Sequence, residues 1–161
     1  MNIELQPVTK SEKEILRNLV HLYLHDYSEF DNLEVGPDGQ FSYPWFEAYF
    51  EDPGRFAYLV RIDKYLSGFV MVRSNSGDQD WDFQIAEFFI LRRYRRKGLG
   101  SSVAQQVLNS RRGLWEIAYD SDNESASYLW NSISKLYSQV QLQADFGEKG
   151  RNRFLIQTAV A

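Results

Sequence analysis

Residues 85–91, Ile-Ala-Glu-Phe-Phe-Ile-Leu, are apolar at every position but one, and they run directly into Arg-Arg-Tyr-Arg-Arg-Lys-Gly-Leu-Gly at residues 92–100. No other junction constrains the chain as much. A short, nearly unbroken apolar run reads as a strand covered on both faces. Beyond it, Leu99, Val103 and Val107 recur every fourth residue with Ala104 and Leu108 beside them, one face of an amphipathic helix. A helix that opens at glycines presents first-turn N–H groups without partners and the positive end of its dipole. Strand, basic turn and helix in this order therefore make a site for a phosphate.

Five of the six residues from Arg92 to Lys97 are basic, whereas the whole chain carries 18 basic and 22 acidic residues, a net charge of -4. A solvated loop is the ordinary reading of such a run; its place at a helix N-terminus favours the phosphate. The acidic whole argues against a nucleic-acid partner. With no cysteine, disulfides, thiolate metal sites and a cysteinyl acyl-enzyme are excluded. At 161 residues, 43% of them hydrophobic, the chain fits a single domain, residues 1–161, with its own core. Its longest apolar run is far short of a membrane span, and residues 1–10 lack a signal-peptide apolar region. The expectation is a cytoplasmic protein without a membrane partner.

In chain order, residues 2–8 read as a strand, and Ser11-Glu12-Lys13-Glu14 as a capping box opening a helix with Ile15, Leu16, Leu19 and Val20 on its face. Residues 21–50 are aromatic and acidic, break at Gly36-Pro37-Asp38-Gly39 and resume as a short helix over 43–50. Residues 55–62 and 66–73 form a predicted hairpin turning at Asp63-Lys64. The next strand starts at Trp81, with Trp81, Phe83 and Ile85 alternating against Asp82 and Gln84, and its phase slips at Ala86-Glu87, as at a bulge. A strand over 114–119 completes a parallel crossover. A helix from Asp122 buries Ala126, Leu129, Trp130, Ile133 and either Leu136 or Tyr137. Strands over 140–146 and 153–158 close the chain around residues 147–150.

Two named phosphate loops fail here. The dinucleotide fingerprint needs a glycine where Val103 stands, and the P-loop needs its lysine after the glycine, whereas Lys97 precedes Gly98. What remains, Arg95-x-x-Gly98-x-Gly100 behind an apolar strand, resembles the pyrophosphate-binding signature Arg/Gln-x-x-Gly-x-Gly/Ala of the GNAT N-acetyltransferase superfamily. Asn123, Ala126 and Trp130 add its Asn-x-x-Ala element with an aromatic residue four positions on. The resemblance spans roughly residues 81–137. It implies an α/β (α+β) fold with a mixed, mostly antiparallel central sheet of about six or seven strands flanked by helices. It implies acetyl-CoA as co-substrate, with its pantetheine arm on the backbone of Phe88, Phe89 and Ile90. Its pyrophosphate would lie on Arg95, Arg96, Lys97, Gly98, Leu99, Gly100 and Ser101. Asn123 is carried over as a further cofactor contact, and also suits an N-cap.

The implied reaction is direct transfer of acetyl to a primary amine of a small molecule or peptide; a homodimer is left open. An amine of pKa about 10.4 costs roughly 4.6 kcal/mol to deprotonate at pH 7, so a base is needed. Glu87, a carboxylate in a phenylalanine-rich strand beside the implied thioester, is the candidate; the alternative is that it faces solvent across the bulge or pairs with an arginine. Many members place a tyrosine as general acid where Trp130 stands, and indole is no ordinary acid. That departure keeps a non-catalytic acyl-CoA sensor as the rival function. His21 and His25 share a helical face, but Leu22 stands where a zinc-protease motif needs glutamate, and no metal site is expected. In the superfamily the first helix and the loop after it select the acceptor. That implies His25, Asp26 and Tyr27 as acceptor-binding residues, with His21, Tyr23 and Glu29 bordering them, an acidic and aromatic lining suited to a cationic amine; the alternative is that these residues merely cover the core.

Overall fold

The computed structural model describes residues 1–147 and 150–159. The elements are β1 (Ile3–Pro7), α1 (Lys13–Tyr27), α2 (Ala48–Glu51), β2 (Arg55–Ile62), β3 (Tyr65–Ser74), β4 (Phe83–Ile90), α3 (Leu99–Leu108), β5 (Gly113–Asp120), α4 (Glu124–Ser134), β6 (Val140–Phe146) and β7 (Arg151–Thr158). They build a seven-stranded sheet of order β1-β2-β3-β4-β5-β7-β6. Only the β4–β5 pair is parallel. This is the mixed, mostly antiparallel sheet that the resemblance implies. On one face, Val103 and Val107 of α3 and Trp130 and Ile133 of α4 join Ile85 and Trp115 in one core. On the other, Leu16, Leu19 and Val20 of α1 join Leu59, Phe69 and Met71.

Local departures from the sequence reading have local causes. The capping box lies two residues earlier than expected and closes a single 3-10 turn, Lys10–Glu12, ahead of α1: the Glu12 carboxylate takes the Thr9 N–H at 3.0 Å, while Glu14 pairs with Arg17 instead. Trp81 is buried outside any strand: Asp82, between it and β4, is bound to the start of β5 through its N–H to the Leu114 carbonyl at 2.8 Å and its carboxylate to the Leu114 N–H at 2.7 Å. Asp63 and Lys64 make the expected hairpin turn with φ of 48° and 73°. α4 ends at Ser134, so Leu136 is exposed and Tyr137 packs against the core. The β6–β7 connection is described only in part, residues 148 and 149 lying outside the described residues.

The feature that makes a site is the parting of the two central strands. β4 and β5 pair only at Phe83–Trp115 and Gln84–Glu116. β4 then continues beside β3 while β5 continues beside β7. From Ile85 to Ile90 one edge of β4 therefore has no strand partner among the described residues. A bulge at Ala86 falls within this stretch, since Met71 faces Glu87 and Val72 faces Ile85. The extra residue turns two consecutive side chains, Ala86 and Glu87, toward α1, while Ile85 and Phe88 belong to the α3–α4 core. Without it Glu87 would point into that apolar core.

Candidate active site

The gap between β4 and β5 opens into a cleft of about 550 Å³, lined from α1 by Tyr23 and Tyr27, from the following loop by Tyr43, and from the split strands by Glu87, Phe88 and Asp120. Glu87 is partly buried at the cleft and makes no ion pair with an arginine among the described residues. One carboxylate oxygen accepts a hydrogen bond from the Tyr23 hydroxyl and the other accepts one from Tyr43 at 3.1 Å. Burial pushes the Glu87 carboxyl above its usual value, and the two tyrosine hydrogen bonds pull against that rise. Tyr23 and Tyr43 are in turn driven up by burial and by the adjacent carboxylate, so both remain protonated donors.

Across the cleft, Tyr27 donates to Asp120 at 2.5 Å, and burial followed by this carboxylate pushes its hydroxyl up as well. Arg151 brings its Nε to 3.5 Å from the same carboxylate, near enough to pair charges although its N–H makes no hydrogen bond. The Trp130 indole packs edge-to-face on Phe88 with centroids 5.2 Å apart, walling the cleft on the α4 side. Asn123 caps α4 by accepting the Ala126 N–H at 3.0 Å and also lines the cleft.

At the other end of β4 the glycine turn has the backbone that an anion site needs. Gly98 is the N-cap of α3 with φ 74°, and Arg96 is left-handed at φ 59°. The N–H groups of Leu99, Gly100 and Ser101 fall in the first turn, where no helical partner exists. Arg96 and Lys97 are exposed beside them. Arg95 has another engagement: its Nε donates to the Ile90 carbonyl at 2.6 Å and its NH2 group to Asp26 at 2.6 Å. Arg92 reaches the same carboxylate at 2.7 Å. Burial raises the Asp26 carboxyl, but the Arg95 and Arg92 hydrogen bonds outweigh it and hold the group below its ordinary value. Asp26 thus ties the basic turn to α1 and does not line the cleft, and His25 lies on the exposed side of α1. Of the three residues expected to meet the acceptor, the structure brings Tyr27 alone to the cleft.

Tyr43, Tyr49, Asp120, Arg55 and Arg73 also line it, and no motif marks them in the sequence. A separate open depression of about 610 Å³, beside Arg112, Leu136 and Gln139, has no carboxylate among its described lining residues.

The sequence model of the acetyltransferase (GNAT) family matches residues 16–131, which run from α1 through the Arg95–Gly100 turn and the Asn123–Ala126 element into α4. The chain belongs to this family. Solved structures agree on the GNAT fold. An acetyltransferase from Thermus thermophilus superposes with a TM-score of 0.71 at 15% identity, covering 98% of each chain. Spermidine N-acetyltransferase from Vibrio cholerae, in complex with CoA and spermine, gives 0.64 at 15% identity over 96% of this chain and 95% of that one. Arabidopsis thaliana NAA60 with a bisubstrate analogue gives 0.59 at 14% identity over 96% of each. Identities this low establish the fold of a GNAT protein and not its acceptor. No curated protein sequence matches the chain.

Proposed function

We propose that this GNAT protein transfers the acetyl group of acetyl-CoA directly to a primary amine, with Glu87 as the base. The observation that carries the reading is the unpaired edge of β4 over Ile85–Ile90, which runs from the Glu87 bulge to the open N-terminus of α3. An extended, amide-bearing arm can pair with that edge as a strand would, through the backbone of Phe88 and the N–H of Ile90, since the Phe89 backbone faces β3 and the Ile90 carbonyl already accepts from Arg95. Its pyrophosphate meets the N–H groups of Leu99, Gly100 and Ser101, with Arg96 and Lys97 supplying charge. Arg95 acts one step back, by holding the turn against Ile90 and Asp26. Asn123, already the α4 cap through its oxygen, has its amide nitrogen left for the cofactor.

Acetyl-CoA supplies the activated thioester. Glu87 takes the proton from the ammonium form of the acceptor, leaving a neutral nitrogen lone pair to attack. Its raised pKa makes it a better base than an exposed glutamate, and Tyr23 and Tyr43 hold it in one orientation. The new C–N bond replaces the C–S bond. The nitrogen then gives its second proton to water, and the departing thiolate, of pKa about 8.5, takes a proton from that water, because Trp130 cannot give one and Tyr23, Tyr27 and Tyr43 already donate to carboxylates.

The test is the thermal midpoint with and without acetyl-CoA, in the parent chain and in an Arg96→Ala, Gly98→Val variant, followed by turnover against a panel of amines. At a hundredfold excess over Kd the parent should gain about 2.7 kcal/mol, and the variant should lose that gain. No shift at saturating acetyl-CoA overturns the reading. Trp130 at the general-acid position favours one rival, an acyl-CoA sensor, for which the shift would appear without turnover of any amine.

A further inference from the structure

Past Glu87, at the end of the sheet away from the phosphate turn, the cleft becomes basic. Arg55 of β2 and Arg73 of β3 are register partners there. Arg73 lies over the Trp81 ring at 5.1 Å and donates through Nε to Gln84 at 2.5 Å. Gln84 donates to Glu116 at 2.5 Å, and Glu116 accepts from Arg153 at 2.9 Å. This chain of side chains crosses four strands and fixes one edge of the Arg73 guanidinium. Its two terminal nitrogens make no hydrogen bond or ion pair among the described residues. Arg55 sits 5.1 Å from the Trp45 ring and 5.4 Å from the Tyr49 ring, and Asp52 approaches it only to 3.5 Å. The Tyr49 side chain, 7% exposed and lining the same end, has a hydroxyl with no partner.

Arg55 is paired only loosely, by Asp52 at 3.5 Å, and Arg73 has a charge interaction with Asp78 but no ion pair among the described residues; partly buried guanidinium groups so weakly paired, and a buried hydroxyl without a hydrogen bond, are costly. A carboxylate answers both, since it accepts from a guanidinium fork and from a hydroxyl together. The spacing suits a small molecule. Met71 faces Glu87 and Arg73 faces Gln84, so the basic group lies two residues along β3 from the base, roughly 7 Å of strand. A polyamine has the wrong charge for this end, because its second cation would meet two guanidinium groups.

We propose that the acceptor is an amino acid, its amine at Glu87 and its carboxylate on Arg73 and Arg55 with the Tyr49 hydroxyl donating to it. The exposed Trp45 beside Arg55 gives its side chain an apolar surface. This assignment rests on the acetyl-transfer reading above. The ammonium gives one proton to Glu87, the nitrogen bonds to the acetyl carbon as the C–S bond breaks, its second proton reaches the leaving thiolate through water, and the products are an N-acetyl amino acid and coenzyme A.

The full chain tests it by thiol release from acetyl-CoA, which is clean because the protein has no cysteine. Acceptors are matched pairs, phenylalanine with phenethylamine, tryptophan with tryptamine and alanine with ethylamine, with spermidine as the polyamine probe. The amino acid of a pair should exceed its amine in kcat/KM by at least about tenfold, and Arg73→Gln should raise the amino-acid KM about tenfold to a hundredfold. The KM for acetyl-CoA should stay unchanged. Tyr49→Phe should raise the amino-acid KM less, without touching acetyl-CoA. Equal or better use of the amines or spermidine, an Arg73→Gln effect equal on both members of a pair, or no turnover of any acceptor despite a normal acetyl-CoA shift overturns the assignment. Absence of the shift itself removes the acetyl-transfer reading and this one with it.

Discussion

Glu87 of β4 and Tyr23 of α1, 64 residues apart in the chain, are joined by a hydrogen bond from the tyrosine hydroxyl to the carboxylate. The bond sits where the sheet bulges and the central strands part, and it ties the orientation of a buried acid to the helix that covers it. Tyr43 completes the arrangement from the loop before α2.

For Glu87→Gln, kcat should fall by about a hundredfold or more, the usual reach of a positioned base, with the acetyl-CoA midpoint shift preserved. Single-turnover acetylation beside the shift measures both, and unchanged turnover would remove Glu87 from the chemistry.

Activity should fall with decreasing pH as Glu87 takes up a proton, at a pH above its ordinary value of 4.5. Tyr23 and Tyr43 stabilise the ionised form, so deleting either hydroxyl raises the carboxyl further. The acid limb of kcat/KM for Tyr23→Phe should therefore move to higher pH; a limb that stays in place or moves lower contradicts the assignment. Stability follows the same sign. Because the folded state holds this proton more tightly than the unfolded one, the stabilisation is complete below 4.5 and is lost as pH rises through the folded value.

Asp26 works in the opposite sense. Its carboxyl lies below 3.8 in the fold, so the stability it contributes is present above 3.8 and is lost as pH falls through the folded value. A double-mutant cycle on Asp26 and Arg95 should give a coupling of about 1 kcal/mol. The same cycle with Arg92, whose side chain is 73% exposed, should give close to nothing. Thermal midpoints of the single and double alanine variants measure both cycles.

Two glycines should respond to alanine for different reasons. A methyl group on Gly68 would sit 2.0 Å from the Phe89 carbonyl oxygen, so β3 and β4 must separate, at about 3 kcal/mol or more. At Gly98 nothing lies within 4 Å, but φ is 74°, and the left-handed backbone alone costs about 1 to 2 kcal/mol. Denaturant titration should rank Gly68→Ala well below Gly98→Ala in stability. A weaker affinity for acetyl-CoA should appear in Gly98→Ala.

Arg153 pairs with Glu116 at 2.9 Å with both side chains 6% exposed. Arg153→Leu should cost about 3 kcal/mol or more by leaving a buried carboxylate without its cation, and the added Glu116→Leu should recover part of the loss. Urea midpoints of the single and double variants decide it.

The basic glycine turn of this protein is legible in the chain alone. An apolar run, a basic turn and a helix opening at glycines are neighbours in sequence, and their meaning follows from backbone rules that act over a few residues. The same holds for Asn123 as a cap and for the slip of alternation at Ala86. Glu87 was legible as a residue of its strand, but whether it met solvent, an arginine or the cleft was left open. That choice belongs to the folded molecule, because the answer depends on tyrosines 64 and 44 residues away. Asp26 shows the same limit in reverse: its acidity suited an amine, yet folding brings Arg92 and Arg95 against it from 66 and 69 residues on. Arg55, Arg73 and Tyr49 carry no motif at all. They meet because strand register and a four-residue helix set three side chains around one end of a split sheet, and such long-range pairing leaves no local signature.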